Sequence, residues 1–206
     1  MTEPAFPGPD EEPEEPMAGF RRSSAGVSAR FARPEAAIIR DLVGQVVELV
    51  EPEPEPGAPA SPQSPEADEL AALTGMTGGS PEDASLPDDP VLARLLPDAY
   101  RDDDDAAQEF RRFTESSLRS AKVQCARTLL STLPVGGGRV KLSSEQAEDW
   151  LRSLNDVRLA LGVRLGVTDD FDGLENDVSP GDPRYAYVQV YQWLAYIQGS
   201  LVNALS

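Results

Sequence analysis

The chain has one cysteine, Cys125, and no histidine, and this pairing limits the chemistry open to it. A lone thiol excludes an intramolecular disulfide, and without His the commonest zinc-ligand sets are missing. Cys125 could still form a sulfenic acid, a mixed disulfide or a bridge to another chain. Lys122 and Arg127 lie close in sequence and would lower its pKa if the thiol reached solvent. The other reading is a small buried hydrophobe, since Cys125 falls between Ala121 and Leu129 on an apolar helical stripe. Cys125 is the redox candidate, and both readings stand.

The second group is basic. Residues 17–34 hold Arg21, Arg22, Arg30 and Arg33 with no acid, and residues 131–144 hold Arg139 and Lys141, again with no acid. If these segments pair as strands, six bases converge. Alternation then turns Val27, Ala29, Phe31, Val140 and Leu142 inward and leaves Arg30, Arg139 and Lys141 on the outer face. Such a face attracts phosphates, which makes these six residues the nucleic-acid-binding candidates; it reads equally as a solvated sheet surface, because no DNA-reading motif accompanies it.

Other features point to structure rather than chemistry. Asp102 to Asp105 suit a helix start, and Asp169, Asp170, Asp172, Glu175 and Asp177 lack the spacing of a calcium loop. Gly136-Gly137-Gly138 is not followed by the Lys-Ser/Thr pair of a phosphate loop. No nucleophile has a plausible base beside it. The expectation is a non-enzyme with no metal and no cofactor.

The elements that would position these residues are mostly helices. Phe20 to Ser24 and Val27 to Phe31 read as a hairpin joined at Ala25-Gly26. Pro34 opens a helix with a broad apolar face from Ile38 to Val50, which Pro52 ends. Asp89-Pro90 starts a short helix through Leu96. A long helix then runs from about Asp102 to Leu133, with a stripe of Ala106, Phe110, Phe113, Ser117, Ala121, Cys125 and Leu129. Arg139 to Leu142 alternates as a third strand. Ser143 and Gln146 form a capping box for a helix bearing Ala147, Trp150, Leu151, Leu154, Val157, Leu161 and Leu165. The last helix starts near Asp182-Pro183 and aligns Tyr187, Val190, Tyr191, Leu194, Gln198, Leu201 and Leu205. The fold class is mainly α, four to five helices with a small antiparallel sheet.

Charge is unevenly placed. The formal net charge is -18, yet residues 1–16 hold six acids and no base, and residues 51–90 hold ten acids and no base. Both are Pro-rich and poor in apolar surface, so the sequence predicts a disordered acidic tail (1–16) and a disordered linker (51–88) interrupting one domain (17–206). Outside residues 1–16 and 51–90, 20 acids face 18 bases. The absence of a signal-peptide start and of a long apolar run predicts a cytoplasmic protein that does not enter a membrane.

Asp89 to Glu115, the block WLRSLNDVRLALGVRLGVT from Trp150, and YQWLAYIQGSLVNAL from Tyr191 together resemble an actinobacterial family. It was long catalogued as a domain of unknown function and is identified with oxidative stress transcriptional regulators of AosR type. The resemblance implies a transcriptional role through DNA, a sigma factor or RNA polymerase. The alternative is an adaptor without direct nucleic-acid binding, linked to proteolysis or sulfur metabolism and contacting proteins, or a second copy as a homodimer, through Trp193 and Tyr196 on the last helix. The reading preferred for those two side chains is that they are packed between helices. An internal disulfide sensor needs two cysteines, so this chain departs from that mode of sensing.

Overall fold

A computed structural model describes residues 19–23, 26–51, 89–97, 104–167, 178–179 and 181–206. Their order is β1 (Arg21–Ser23), β2 (Gly26–Phe31), α1 (Arg33–Val50), α2 (Pro90–Leu95), α3 (Asp104–Thr132), β3 (Gly138–Leu142), α4 (Ser144–Leu165) and α5 (Tyr185–Leu205). The fold is mainly helical with one small antiparallel sheet, as the periodicity predicts. The acidic tail, residues 52–88 of the linker and the Ser24-Ala25 turn lie outside the described residues.

Helix starts are encoded locally. Asp89 accepts hydrogen bonds from the Val91 and Leu92 N–H groups at 2.7 and 3.2 Å, with Pro90 in the first turn of α2. Ser143 and Gln146 form the expected reciprocal box at 3.2 and 3.0 Å. Ala32 has no side-chain acceptor, so the Glu35 carboxylate reaches back to its N–H at 2.7 Å and closes the start of α1. Asp182 accepts from the Arg184 N–H at 2.7 Å, and α5 begins at Tyr185, just past the expected Asp182-Pro183.

Helix ends are encoded at a distance. Helices α1, α3 and α5 carry no basic residue in their last turns, so their terminal carbonyls lack the usual local cation. Each receives an arginine from another element. Arg119 donates to the Val50 carbonyl at 2.8 Å, Arg40 to those of Leu130 and Leu133, and Arg22 to that of Ala204 at 3.3 Å. Buried Arg111 does the same for Leu96 at the end of α2, at 3.4 Å. Helix α4, by contrast, ends on its own sequence, at Gly166 in the left-handed region.

The sheet order is β1-β2-β3, with Val27 opposite Leu142, Ala29 opposite Val140 and Arg30 opposite Arg139. Val27, Ala29, Phe31, Val140 and Leu142 are all buried, as alternation requires. Beneath them Phe20, Phe31 and Trp150 form an aromatic cluster with ring centroids 5.6 to 5.9 Å apart. The indole N–H of Trp150 donates to Thr132 Oγ1 at 2.8 Å. Gly137 has φ +76, and a Cβ there would meet the backbone of residues 31–33 at 2.7 to 2.8 Å, so the lead-in to β3 needs glycine.

Helix α4 lies at the centre, burying Ala147, Trp150, Leu154, Val157, Leu161 and Leu165 as expected, with Leu151 partly buried. Two expected faces need correction. Among the described side chains of the α3 stripe, only Cys125 and Leu129 are buried; Phe113, Ser117 and Ala121 are exposed, and Phe110 is 46% exposed. At that level the inward side is taken by Arg111, Glu115 and Arg119, which are needed at the ends of α1 and α2, so the apolar residues turn outward. On α5 the buried residues are Val188, Leu194, Ile197, Leu201 and Ala204, and Tyr187 is exposed. Strand β1 docks along Ser200 and Ala204 and draws that side of the helix inward. Trp193 and Tyr196 therefore part company. Trp193 packs against the core, and Tyr196 is 53% exposed.

Candidate nucleic-acid interface

Antiparallel partners share a face, so the register arranges the basic residues in rows. Arg21 lies opposite Ser28, and Ser28 opposite Lys141, giving one row across all three strands. Arg30 and Arg139 form the next row, two residues along β2 and about 7 Å away. Arg21, Arg30, Arg139 and Lys141 are all exposed, and the three strands contain no acid. Like charges set directly opposite each other, as at Arg30 and Arg139, repel, and an anion laid between them relieves that repulsion. Arg30 also makes a contact of its own.

Two of the six candidates do not join these rows. Arg22 is opposite Val27 and so points to the inner side, where it holds the end of α5. Arg33 is exposed at the start of α1, its backbone against Gly137, and stands at the margin of the face. Composition alone makes all the arginines near the hairpin look alike. Strand parity is the signal that separates Arg22 from Arg21.

The surroundings of Cys125 favour the buried reading. Its thiol is 7% exposed and donates to Asp149 Oδ1 at 3.4 Å, while Asp149 Oδ2 accepts from Thr128 Oγ1 at 3.0 Å. Burial, and then the Asp149 carboxylate, push the thiol above its ordinary pKa; Arg152 opposes them. Neither base expected to activate it does so. Lys122 is bonded to Asp156 at 2.6 Å and Arg127 to Glu51 at 2.8 Å. Neither acidic partner is visible in the sequence, because no local pattern links residues so far apart in the chain.

Among the described residues, no three Cys, Asp or Glu side chains converge as metal ligands. The carboxylates at Asp102, Asp103, Asp169, Asp170, Asp172, Glu175 and Asp177 lie outside those residues. No described helix is long and apolar enough to cross a membrane.

Relatives of the chain occur in mycobacteria. Two of them, in Mycobacterium tuberculosis strain H37Rv and in Mycobacterium bovis, are each 40% identical over 136 residues, 59% of this chain and 61% of theirs. Both are named "Oxidative stress regulator AosR". The chain thus spans about three fifths of the length of these curated relatives. No solved structure matches it significantly. The model of the family described as "Domain of unknown function (DUF2017)" matches residues 17–205, from just before β1 to the end of α5, and the chain belongs to that family.

Proposed function

We propose that this protein is a non-catalytic regulator in the oxidative stress response, and that it touches nucleic-acid phosphates through the exposed face of its sheet. The observation that carries this reading is the pair of rows formed by Arg21, Lys141, Arg30 and Arg139, on strands without a single acid. The names of the mycobacterial relatives support the regulatory part. Phosphate contact fixes position and affinity but not sequence, so target choice falls to a partner such as a sigma factor or RNA polymerase. The buried, hydrogen-bonded thiol argues that oxidant sensing does not start at Cys125.

Fluorescence anisotropy of duplex DNA against the full chain across a salt series tests the proposal. If all four bases displace counterions, log K falls with log salt at a slope between about -3 and -4. Changing Arg30, Arg139 and Lys141 together to Ala removes most of that slope. No binding at about 50 mM salt would refute direct contact.

A second reading, a protein adaptor, is favoured by one observation. Tyr187 is 56% exposed on α5 and Tyr196 is 53% exposed. Tyrosine is among the side chains that anchor protein interfaces. Under that reading a double Tyr→Ala change abolishes partner capture, and the natural chain binds no DNA even at about 50 mM salt.

A further inference from the structure

Three of the four bases on the sheet face, Arg21, Arg139 and Lys141, make no ion pair with any described residue. By contrast Arg22, Arg40, Arg111, Arg119, Lys122 and Arg127 each hold a carbonyl or a carboxylate. Directly ahead of β1 the chain carries the opposite charge. Asp10, Glu11, Glu12, Glu14 and Glu15 place five carboxylates in six positions, and no base precedes Arg21. Because β1 and β2 are antiparallel with Arg21 opposite Ser28, the chain enters β1 from the Arg30 side of the face.

We propose that residues 10–15 lie across the exposed face of the sheet in the same chain, with their carboxylates against Arg21, Arg139 and Lys141. Reach permits it. Gly19 is buried against Tyr196 and Ser200 of α5, and from there to Glu15 the chain spans up to about 14 Å, with about 17 Å more to Asp10. The two basic rows are about 7 Å apart and the three strands about 10 Å across. So short a tether sets the local concentration of the segment on the order of millimolar.

The other acidic stretch, residues 51–90, is the poorer occupant. Its ten acids are spread over 40 residues, and the first of them, Glu51, is held by Arg127. It also leaves the far end of α1, about 27 Å along that helix from the sheet. Exposed ion pairs are individually weak and screened by salt, so the docked segment yields to a denser polyanion. On the reading of this face as a phosphate-binding surface, the segment competes with nucleic acid and weakens binding most at low salt.

The chain has two lysines, and Lys122 is taken up by Asp156. A water-soluble carbodiimide, which joins a carboxylate to an adjacent amine as an amide, therefore reports on Lys141. In the full chain at low salt, peptide mass spectrometry of the monomer band should find Lys141 joined to a carboxylate among Asp10 to Glu15. The yield should fall at least about threefold at about 0.5 M salt, and likewise in an Arg21→Ala, Arg139→Ala double variant. A full chain with Asp10→Asn and Gln at positions 11, 12, 14 and 15 should bind duplex DNA about tenfold more tightly at about 50 mM salt, the gap closing by about 0.5 M. The same five-charge change at Glu53, Glu55, Glu66, Asp68 and Glu69 controls for net charge and should alter binding less than about twofold. No cross-link from Asp10 to Glu15, a yield indifferent to salt, or an equal gain from the control variant would overturn the proposal. A cross-link together with no DNA binding by any of these chains would uphold the docking and refute the nucleic-acid reading.

Discussion

Asp156 lies between α3 and α4 with 7% of its side chain exposed, and the Lys122 ammonium approaches it at 2.6 Å. Burial pushes the Asp156 carboxyl above its ordinary range, and the hydrogen bond and charge of Lys122 pull it back. At an effective dielectric of about 20, this separation gives a gross attraction of about 6 kcal/mol. Withdrawing the two charges from water costs several kcal/mol per ion, so the pair as a whole adds little. Removing one partner is different. Lys122→Met leaves an uncompensated buried carboxylate and should cost about 3 kcal/mol at pH 7, whereas Lys122→Met with Asp156→Leu should return to within about 1 kcal/mol of the natural protein.

The pH dependence of that variant follows from the same carboxyl. A folded-state pKa above the unfolded one contributes stability that is full below the unfolded value and is lost as pH rises through the folded value. Without Lys122 the folded value climbs further, so the deficit of Lys122→Met should shrink as pH falls from about 7 toward about 5. Urea unfolding followed by helical circular dichroism at both pH values measures this. A deficit below about 1 kcal/mol at pH 7, or one unchanged at pH 5, would refute the account of Lys122 as counterion to a buried carboxylate.

Other substitutions probe single contacts. Gly137→Ala brings a Cβ against the backbone of residues 31–33 at positive φ. It should lower stability by about 2 kcal/mol, read as a drop in urea midpoint. Trp150→Phe keeps the aromatic cluster but leaves Thr132 Oγ1 without its donor. The loss in the same assay should be on the order of 1 kcal/mol. Cys125, with its buried, raised-pKa thiol, should react with a disulfide reagent at pH 7 far more slowly in the folded chain than in about 6 M urea; equal rates would contradict that burial. Arg40→Met frees the carbonyls at the end of α3. It should cost about 2 kcal/mol, with faster amide exchange concentrated in the last turn of that helix.

What the sequence makes legible is local. Capping residues such as Asp89 and Ser143 act within three positions, and strand alternation needs only neighbours, so α2, the start of α4 and the buried side of the sheet can be read directly. The stripe of α4 is legible too, because that helix is surrounded and its periodicity has one solution. On α3 the same reasoning picks the wrong side for Phe113, Ser117 and Ala121. Periodicity there describes an apolar lane but not what the lane faces, and the inward side is already claimed by Arg111 and Arg119. The basic face is half legible. Arg30, Arg139 and Lys141 share it as alternation predicts and Arg21 joins them by its register with Ser28, whereas Arg22 is drawn to a carbonyl 182 positions away, a partner that no local pattern reveals.

That long reach has a consequence for how the protein comes into being. The hairpin strand β1 is fastened to α5 by the Phe20 N–H donating to Ser200 Oγ at 3.0 Å and by Arg22 on the Ala204 carbonyl. The two members of the first bond stand 180 positions apart. At a synthesis rate on the order of ten residues per second, roughly 20 s pass between them on the ribosome. During that time Phe20 can already meet Trp150 of α4, but its backbone N–H and Arg22 have no α5 to bond. The hairpin's attachment to α5 is therefore among the last contacts of the described fold to become possible during synthesis.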